Sequence, residues 1–561
     1  MEPVTVTAKE EIENIRSEFM IGPDKLRIQD SLNESITHLA LSLYKKTAHF
    51  ILELIQNAED NQYSEEVEPT LIFNLLDQDP SGTPNSDGAL LIKNNEYGFK
   101  SEHVSALCAV GKSTKQDKSQ GYIGEKGIGF KSVFMVTSQP HIFSGEYQFK
   151  FMENSDPEVR FQYIVPTWVN ERFEVVNDVV NKTCILLPLK NTERKLVEEQ
   201  LGQIAPETIL FLKKIKGLQI QKNGHEHTKV SRIDQRKPLV EIGTHQGDAI
   251  YWLIEKDYLV PAEVQEEKRE GINNRVVSVA FPLESSFSTQ ETIYAFLPTS
   301  VQSGFNFLVN ADFILAANRE NILEDLPWNR WLRDCITSTF LETFKKLLKK
   351  KEYRFHPYRH IPLSETNRDS FFQPVVDNII TGLKAEEIVW TFDGKSLEAP
   401  ENTRFAPKDL RNLLITKNFP KQLAITPLVH PELELEEYRP FLKEIGVKSL
   451  MVSELVECLK DENWLKNNHK ADWFFKLYQY LSSNKWADAS KLEKIKLVLA
   501  ENGEIICGHA EWVFIPDKQA LEITRSHPEI FEFLGVQYMT PLQKRLDKTH
   551  PDCTLLDWWI V

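Results

Sequence analysis

An α+β fold, with helices laid over a mixed sheet, is what this sequence predicts, and three observations carry that expectation. Residues 48–61 (AHFILELIQNAEDN) place Ile51, Leu54, Ile55 and Ala58 at i, i+3, i+4 and i+7, which is one apolar stripe along a helix. Residues 70–76 (TLIFNLL) and 89–93 (ALLIK) read as strands, separated by a loop dense in Asp, Pro, Ser and Gly. Residues 111–129 are Gly-rich and run straight into an apolar, helix-like segment, 130–136, after which strand patterns return over 140–188. Helix, strands, a glycine loop with its helix, and strands again is the order of a mixed sheet with helices on one face.

The elements follow in order. Residues 9–19 and 31–44 read as helices leading into 48–61, and a short helix occupies 101–110. Strands are expected in HIFSGEYQFKFM, in VRFQYIVP, and in KTCILLPL around Thr183. Residues 193–212 read as helical, with Pro206 dividing them. A second strand set is expected at 218–220, 249–254, 276–281, 293–297 and 305–309, followed by a long helix over 329–350. The last third reads as mainly helical (452–465, 471–481, 489–500), with strand-like pieces near 388–392 and 512–515. Three domains are therefore expected, at 1–225, 226–352 and 353–561.

Composition narrows the function classes. A 41% hydrophobic and 10% aromatic content is that of a globular chain. The formal charge of −16 disfavours a general nucleic-acid binder. The six cysteines contain no CxxC pair, which disfavours a zinc site or a disulfide framework and favours a reducing compartment. With no basic segment followed by an apolar core at the N-terminus, and no apolar run of about 20 residues, the expectation is a soluble protein of the cytoplasm or nucleus, without membrane partners.

Chemistry concentrates in two stretches. Glu53, Asn57 and Asp60 recur at i, i+4 and i+7 and so share one helix face, an arrangement suited to a hard cation or to a water that must lose a proton. Read by itself, this is more readily a helix with polar residues on its solvent side. Gly121, Gly124, Gly127 and Gly129 fall within nine residues, ahead of a segment whose first amides point forward, a combination that favours phosphate. The loop is not a Walker A motif, because Gly111-Lys112-Ser113 precedes the glycine run, and no βαβ unit surrounds it as a dinucleotide fingerprint requires. Lys345, Lys346, Lys349, Lys350 and Lys351 close the long helix, where cations suit its dipole.

Taken together, ordered motifs carry a resemblance. Glu53-Leu-Ile-Gln-Asn57-Ala-Glu-Asp60 resembles the N-box of the GHKL ATPases, the superfamily of gyrase, the large heat-shock chaperones, histidine kinases and MutL. Residues 94–99 (NNEYGF) sit where that superfamily has its first glycine box, Gly111-Lys112-Ser113-Thr114 where its lid begins, and residues 123–132 (IGEKGIGFKS) where it has its second glycine box. Thr183 matches the threonine of the last strand of the nucleotide site. Within the superfamily the sequence is similar to sacsin-like and NO VEIN-like proteins with a heat-shock-chaperone-type ATPase domain. The resemblance is at motif level over about 30–215 and extends loosely through 313–328.

The resemblance implies a Bergerat-type ATPase sandwich, then an α/β transducer-like domain and a mainly helical C-terminal region. It implies ATP and ADP as ligands, Mg²⁺ as the metal, slow hydrolysis coupled to lid closure, and a chaperone-like switch acting on an unidentified protein client, with homodimerisation as one route. By the same carry-over, Glu53 is the general base and Arg319 supplies a cation to the γ-phosphate. Asn57 is the magnesium ligand and Asp60 supports the base-binding end. Gly124, Gly127, Gly129 and Phe130 belong to the phosphate cradle, Lys112, Ser113 and Thr114 to the lid, and Asn94, Gly98 and Thr183 to the base pocket. Two departures stand out: Asn94 replaces the usual aspartate, which accepts a hydrogen bond from the adenine amino group, and Glu96 replaces a glycine. Those departures keep in play a scaffold that binds nucleotide without turnover, while a third class, a MORC-like or MutL-like DNA-associated ATPase, is disfavoured by the acidic charge and by a sequence without a visible nuclease or zinc motif.

Overall fold

The computed structural model describes residues 6–18, 49–109, 129–152, 163–177, 180–234, 236–285, 292–316, 321–366 and 368–468, and several short stretches between 473 and 539. The chain divides into two compact units, Met1–Asp377 and Asn378–Val561.

The first unit is built on one fourteen-stranded mixed sheet. Its strands are β1 (Thr70–Leu76), β2 (Ser86–Asn94), β3 (His141–Ser144), β4 (Tyr147–Lys150), β5 (Thr167–Trp168), β6 (Thr183–Lys190) and β7 (Gly217–Lys222). They continue with β8 (His225–Asp234), β9 (Leu239–Thr244), β10 (Gly247–Leu259), β11 (Asn274–Ser285), β12 (Thr292–Ala295), β13 (Leu297–Gln302) and β14 (Leu308–Ala311). Across the sheet the order is β13-β12-β14-β11-β10-β9-β8-β7-β1-β2-β6-β3-β4-β5. Strand β1 lies inside it, antiparallel to β2 and parallel to β7.

Helices α1 (Ala8–Glu18), α2 (His49–Asp60), α3 (Ser101–Cys108) and α4 (Arg194–Gly202) accompany the early strands, and α5 (Pro327–Leu348) the late ones. The pleat explains the layering, because alternate residues take opposite faces. Leu71, Phe73 and Leu75 of β1, Leu90 and Ile92 of β2, and Leu187 and Leu189 of β6 are buried with Phe50, Ile51, Leu54 and Ile55 of α2 in one core. Ala89, Leu91, Cys184 and Leu186, the intervening residues, join Phe143 and Val176 in a separate cluster on the other face. Each such side chain stabilises the fold by about 1.5–3 kcal/mol when fully buried. Helix α5 seals the later strands: Phe340 packs its ring on Phe281 at 5.3 Å and Phe307 at 4.8 Å, and Tyr258 donates its hydroxyl hydrogen bond to the Cys335 carbonyl at 2.9 Å.

The mixed α+β architecture agrees with the sequence expectation, with local differences. The apolar segment after the glycine run is a 3₁₀ helix, Gly129–Met135, not an α-helix. The expected strand at 293–297 breaks at Phe296, whose φ of 66° ends β12 and starts β13 as its antiparallel neighbour. The expected strand at 305–309 pairs three residues later, as β14. Tyr163 to Val165, expected in a strand, lie in a turn before β5.

The second unit combines short helices, such as Lys408–Leu414 and Val452–Leu459, with two-stranded ribbons around a core of Leu410, Leu414, Leu455, Leu459 and Trp464. Within 489–500, expected as helix, Lys496–Leu499 forms a strand paired with Ile505–Cys507. No helix among the described residues is long and apolar enough to cross a membrane.

Candidate functional site

Helix α2 is held rigidly at its C-terminal end. The Glu59 carboxylate accepts the backbone N–H groups of Lys213 (2.7 Å), Lys214 (3.0 Å) and Ile215 (2.9 Å), tying the helix to the entrance of β7. The Lys214 ammonium donates to the Asn61 carbonyl at 2.7 Å, and the Tyr63 hydroxyl to the Ala58 carbonyl at 2.6 Å, so carbonyls left open by the end of the helix find donors. These bonds set the rotation of α2 and hence the direction of its polar line.

That line is not solvated. Glu53 and Asp60 are buried with exposures of 4% and 6%, and Asn57 is half-buried between them. A Cβ added to Gly129 would lie 2.1 Å from Glu53 Oε2, so the Glu53 carboxylate rests against the α-carbon of the first 3₁₀ residue and only glycine leaves it room. The last residue of the glycine run and the first residue of the acidic face are thus brought together. Phe130, next in the chain, is buried against the Phe151 ring at 6.3 Å. Lys131 anchors the same segment: its buried ammonium donates to the carbonyls of Leu107 (2.7 Å) and Tyr163 (2.8 Å) and lies 4.0 Å from the Phe151 ring centroid. Burial pushes its pKa down to about 7.

The second half of the site lies at the ends of β2, β3 and β6. Asn94 and Thr183 face each other in register, as do Ser144 and Thr183. By strand alternation all three lie on the α2 side, with Ile92, Ile142 and Leu187. Asn94 is committed within the fold: its amide donates to Tyr63 Oη (2.9 Å) and the Thr70 carbonyl (3.1 Å), and its oxygen accepts from Asn61 Nδ2 (3.3 Å).

Glu96, two residues on, is a buried carboxylate, 4% exposed. It accepts the Thr183 hydroxyl on one oxygen and the Gly98 N–H (2.8 Å) on the other. With its own proton directed to Glu96, Thr183 accepts from Ser144 Oγ at 2.6 Å, and Ser144 in turn accepts the Phe99 N–H at 2.8 Å. Every donor in this chain is therefore oriented toward one carboxylate, and each of its oxygens retains a further lone pair for a ligand. Gly98 makes the turn at a φ of 96°, 3.5 Å from Gly145 N measured from an added Cβ. Sequence reasoning noted Glu96 as a replaced glycine and missed its role. An acid two residues before a turn glycine was the available signal.

Of the sequence-derived residues, the structure brings Glu53 to Gly129, and Asn94, Thr183 and Gly98 into one neighbourhood at the strand ends. Lys112, Ser113, Thr114, Gly124, Gly127 and Arg319 lie outside the described residues. Among the described residues, no group of three or more His, Cys, Asp or Glu forms a metal cluster.

Comparison with known proteins adds an independent view. A family model described as the sacsin domain matches residues 29–186. Protein NO VEIN of Arabidopsis thaliana is 33% identical over 339 residues, covering 56% of this chain and 12% of NO VEIN. Sacsin of Homo sapiens is 20% identical over 412 residues, covering 56% of this chain and 9% of sacsin. The chain thus spans only a small part of the length of either relative. These matches support a sacsin-like family for this chain.

Proposed function

We propose that this chain binds ATP with Mg²⁺ and hydrolyses it slowly, using nucleotide turnover as a chaperone-like conformational switch on a protein client. The observation that carries the reading is the apposition of the Glu53 carboxylate and Gly129, which joins the acidic helix face to the glycine run. In this reading Glu53 orients and deprotonates the attacking water. Asn57, one turn on, offers Mg²⁺ a single side-chain oxygen, and the bound metal supplies charge neutralisation at the phosphates. The Gly129 end of the glycine run leaves the backbone bare toward the phosphates, and Asp60 supports the base end. Arg319 supplies the cation, and Lys112, Ser113, Thr114, Gly124 and Gly127 contribute the lid and cradle, as the GHKL resemblance implies.

Base recognition passes from Asn94 to Glu96. A carboxylate already supported by Thr183 and the Gly98 amide is an anionic acceptor for the amino group of a purine, whereas Asn94 holds Tyr63, Thr70 and Asn61 together.

Phosphate release and nucleotide binding, measured on the same samples, test the proposal. Glu53→Gln is expected to keep ATP affinity within a few-fold and to lose about 100-fold or more of turnover, and Asn57→Ala to lose the Mg²⁺-dependent part of binding. Glu96→Gln should weaken ATP binding by about tenfold, the value of one charge-assisted hydrogen bond. Binding without turnover in the wild type would leave a nucleotide-responsive scaffold, and failure to bind any purine nucleotide would remove the proposal altogether.

A further inference from the structure

A second feature lies far along the sheet. The end of β8, the start of β9, the middle of β10 and the C-terminal turn of α5 line a cavity of about 490 Å³. Its floor is apolar and buried, formed by Val240, Trp252 and Ile254. Its rim is basic, and the charges on it are unevenly matched. Arg232 is taken by Asp234 at 2.8 Å, with Lys216 on the same carboxylate, and Lys346 by Glu342 at 2.7 Å. Lys237, Lys349 and Lys350 have no carboxylate in ion-pair reach among the described residues, and one lining acid, the exposed Glu255, stands against them. Two positive charges are left in excess, on a chain whose formal charge is −16.

A helix dipole explains lysines at the end of α5 but not this arrangement. Lys237 comes from a different element and meets the α5 lysines across a concave surface. Lys350 Nζ lies 5.9 Å from the Trp252 ring centroid, which places a cation against the cavity floor. The Trp252 indole N–H is buried without an acceptor among the described residues. The volume is that of a small-molecule site, and β8, β9 and β10 are each paired on both sides, so an extended peptide cannot add to them as a strand.

We infer that this cavity binds a compact ligand carrying two or more phosphate groups, held by Lys237, Lys349 and Lys350 over the Trp252 floor. Ammonium groups on flexible stems act as point charges that can gather several phosphate oxygens. The site is separate from the proposed nucleotide pocket, and the inference does not depend on that reading.

Titration calorimetry of the full chain with inositol hexakisphosphate at about 150 mM salt tests it, a concentration at which diffuse surface attraction is largely screened. One ligand per chain is expected, with affinity reduced at least tenfold by Lys349→Glu/Lys350→Glu and far less by Lys345→Glu/Lys351→Glu, whose residues do not line the cavity. Melting curves establish that both pairs fold. Ligand-induced change in tryptophan emission should be lost in Trp252→Phe. Sedimentation with vesicles containing phosphatidylinositol bisphosphate separates the sources: co-sedimentation abolished by Lys349→Glu/Lys350→Glu indicates a lipid headgroup, and binding in the soluble arm alone indicates a free phosphate ligand. The inference is overturned by absent binding, by equal losses in the two lysine pairs, or by a short poly-glutamate peptide binding as tightly as the phosphate probe.

Discussion

Two regions of the same sheet bury carboxylates in opposite ways. Around β1, β2 and β6, Glu59 is held by three backbone amides and Glu96 by a hydroxyl and an amide, with no guanidinium or ammonium donor to either among the described residues. Around β11 and β14, Asp312 is clamped by Arg269 through two bonds of 2.8 and 2.9 Å and by Arg275 at 2.5 Å. Neutral donors stabilise a carboxylate while leaving its charge for a ligand to feel, whereas arginine forks cancel it. The carboxylates of the first region therefore keep their charge, whereas Asp312 in the second locks the strand ends beneath α5, where Trp328 also donates its indole N–H to the Asp312 carbonyl at 2.9 Å.

The contrast can be broken most sharply at Asp312. Asp312→Ala removes the carboxylate shared by two guanidiniums, one of them buried, and is expected to lower stability by about 3 kcal/mol, read as a shift in the urea midpoint. Acid comes next, because each region carries one depressed histidine. His141, buried beside Phe143 and Phe173 and near the Lys150 cation, is lowered to about 4, and His360, buried and stacked 4.4 Å from Phe281, is also lowered to about 4. The folded state keeps both neutral, so their contribution is complete above the unfolded value of about 6.5 and is lost as pH falls from there toward 4, at roughly 3 kcal/mol per histidine. His141→Phe should remove about half of the acid-dependent fall in midpoint, and an unchanged pH profile would contradict the placement. Glu59→Gln is expected to cost about 1.5–3 kcal/mol, because its amide nitrogen would face backbone donors. Gly129→Ala sits at the small end for stability, within about 1 kcal/mol if the tip of the Glu53 side chain shifts aside, yet it should reduce phosphate release nearly as far as Glu53→Gln. Undiminished turnover in that variant would show that the contact plays no part in hydrolysis.

Much of this layout was legible in the chain. The strand-like run TLIFNLL marked β1 over its full length, and the stripe Ile51, Leu54, Ile55 and Ala58 is buried as its spacing requires. The hidden part was the other side of α2. Glu53, Asn57 and Asp60 read as a polar face, yet Glu53 and Asp60 are buried, and Glu59, which no spacing singled out, is buried too because the amides of Lys213 to Ile215 arrive from about 150 positions away. Local spacing cannot report such contacts. Likewise Asn94 looked like a weakened ligand, and its use as a brace for Tyr63 and Thr70 depends on where β1 and β2 align. Phe296 shows the same limit at the backbone, where a positive φ at an aromatic residue splits what the apolar run presents as one strand.

The parallel pairing of β1 with β7 also governs how the chain can be divided. Residues 217–222 bond to β1 on one side and to β8 on the other, and only two residues separate β7 from β8. A fragment ending near residue 225 would leave the β7 ladder with a bare row of donors and acceptors. Such an open edge is a template for pairing with another copy, so the half that carries α2 would have its own aggregation hazard once the strands beyond it were removed.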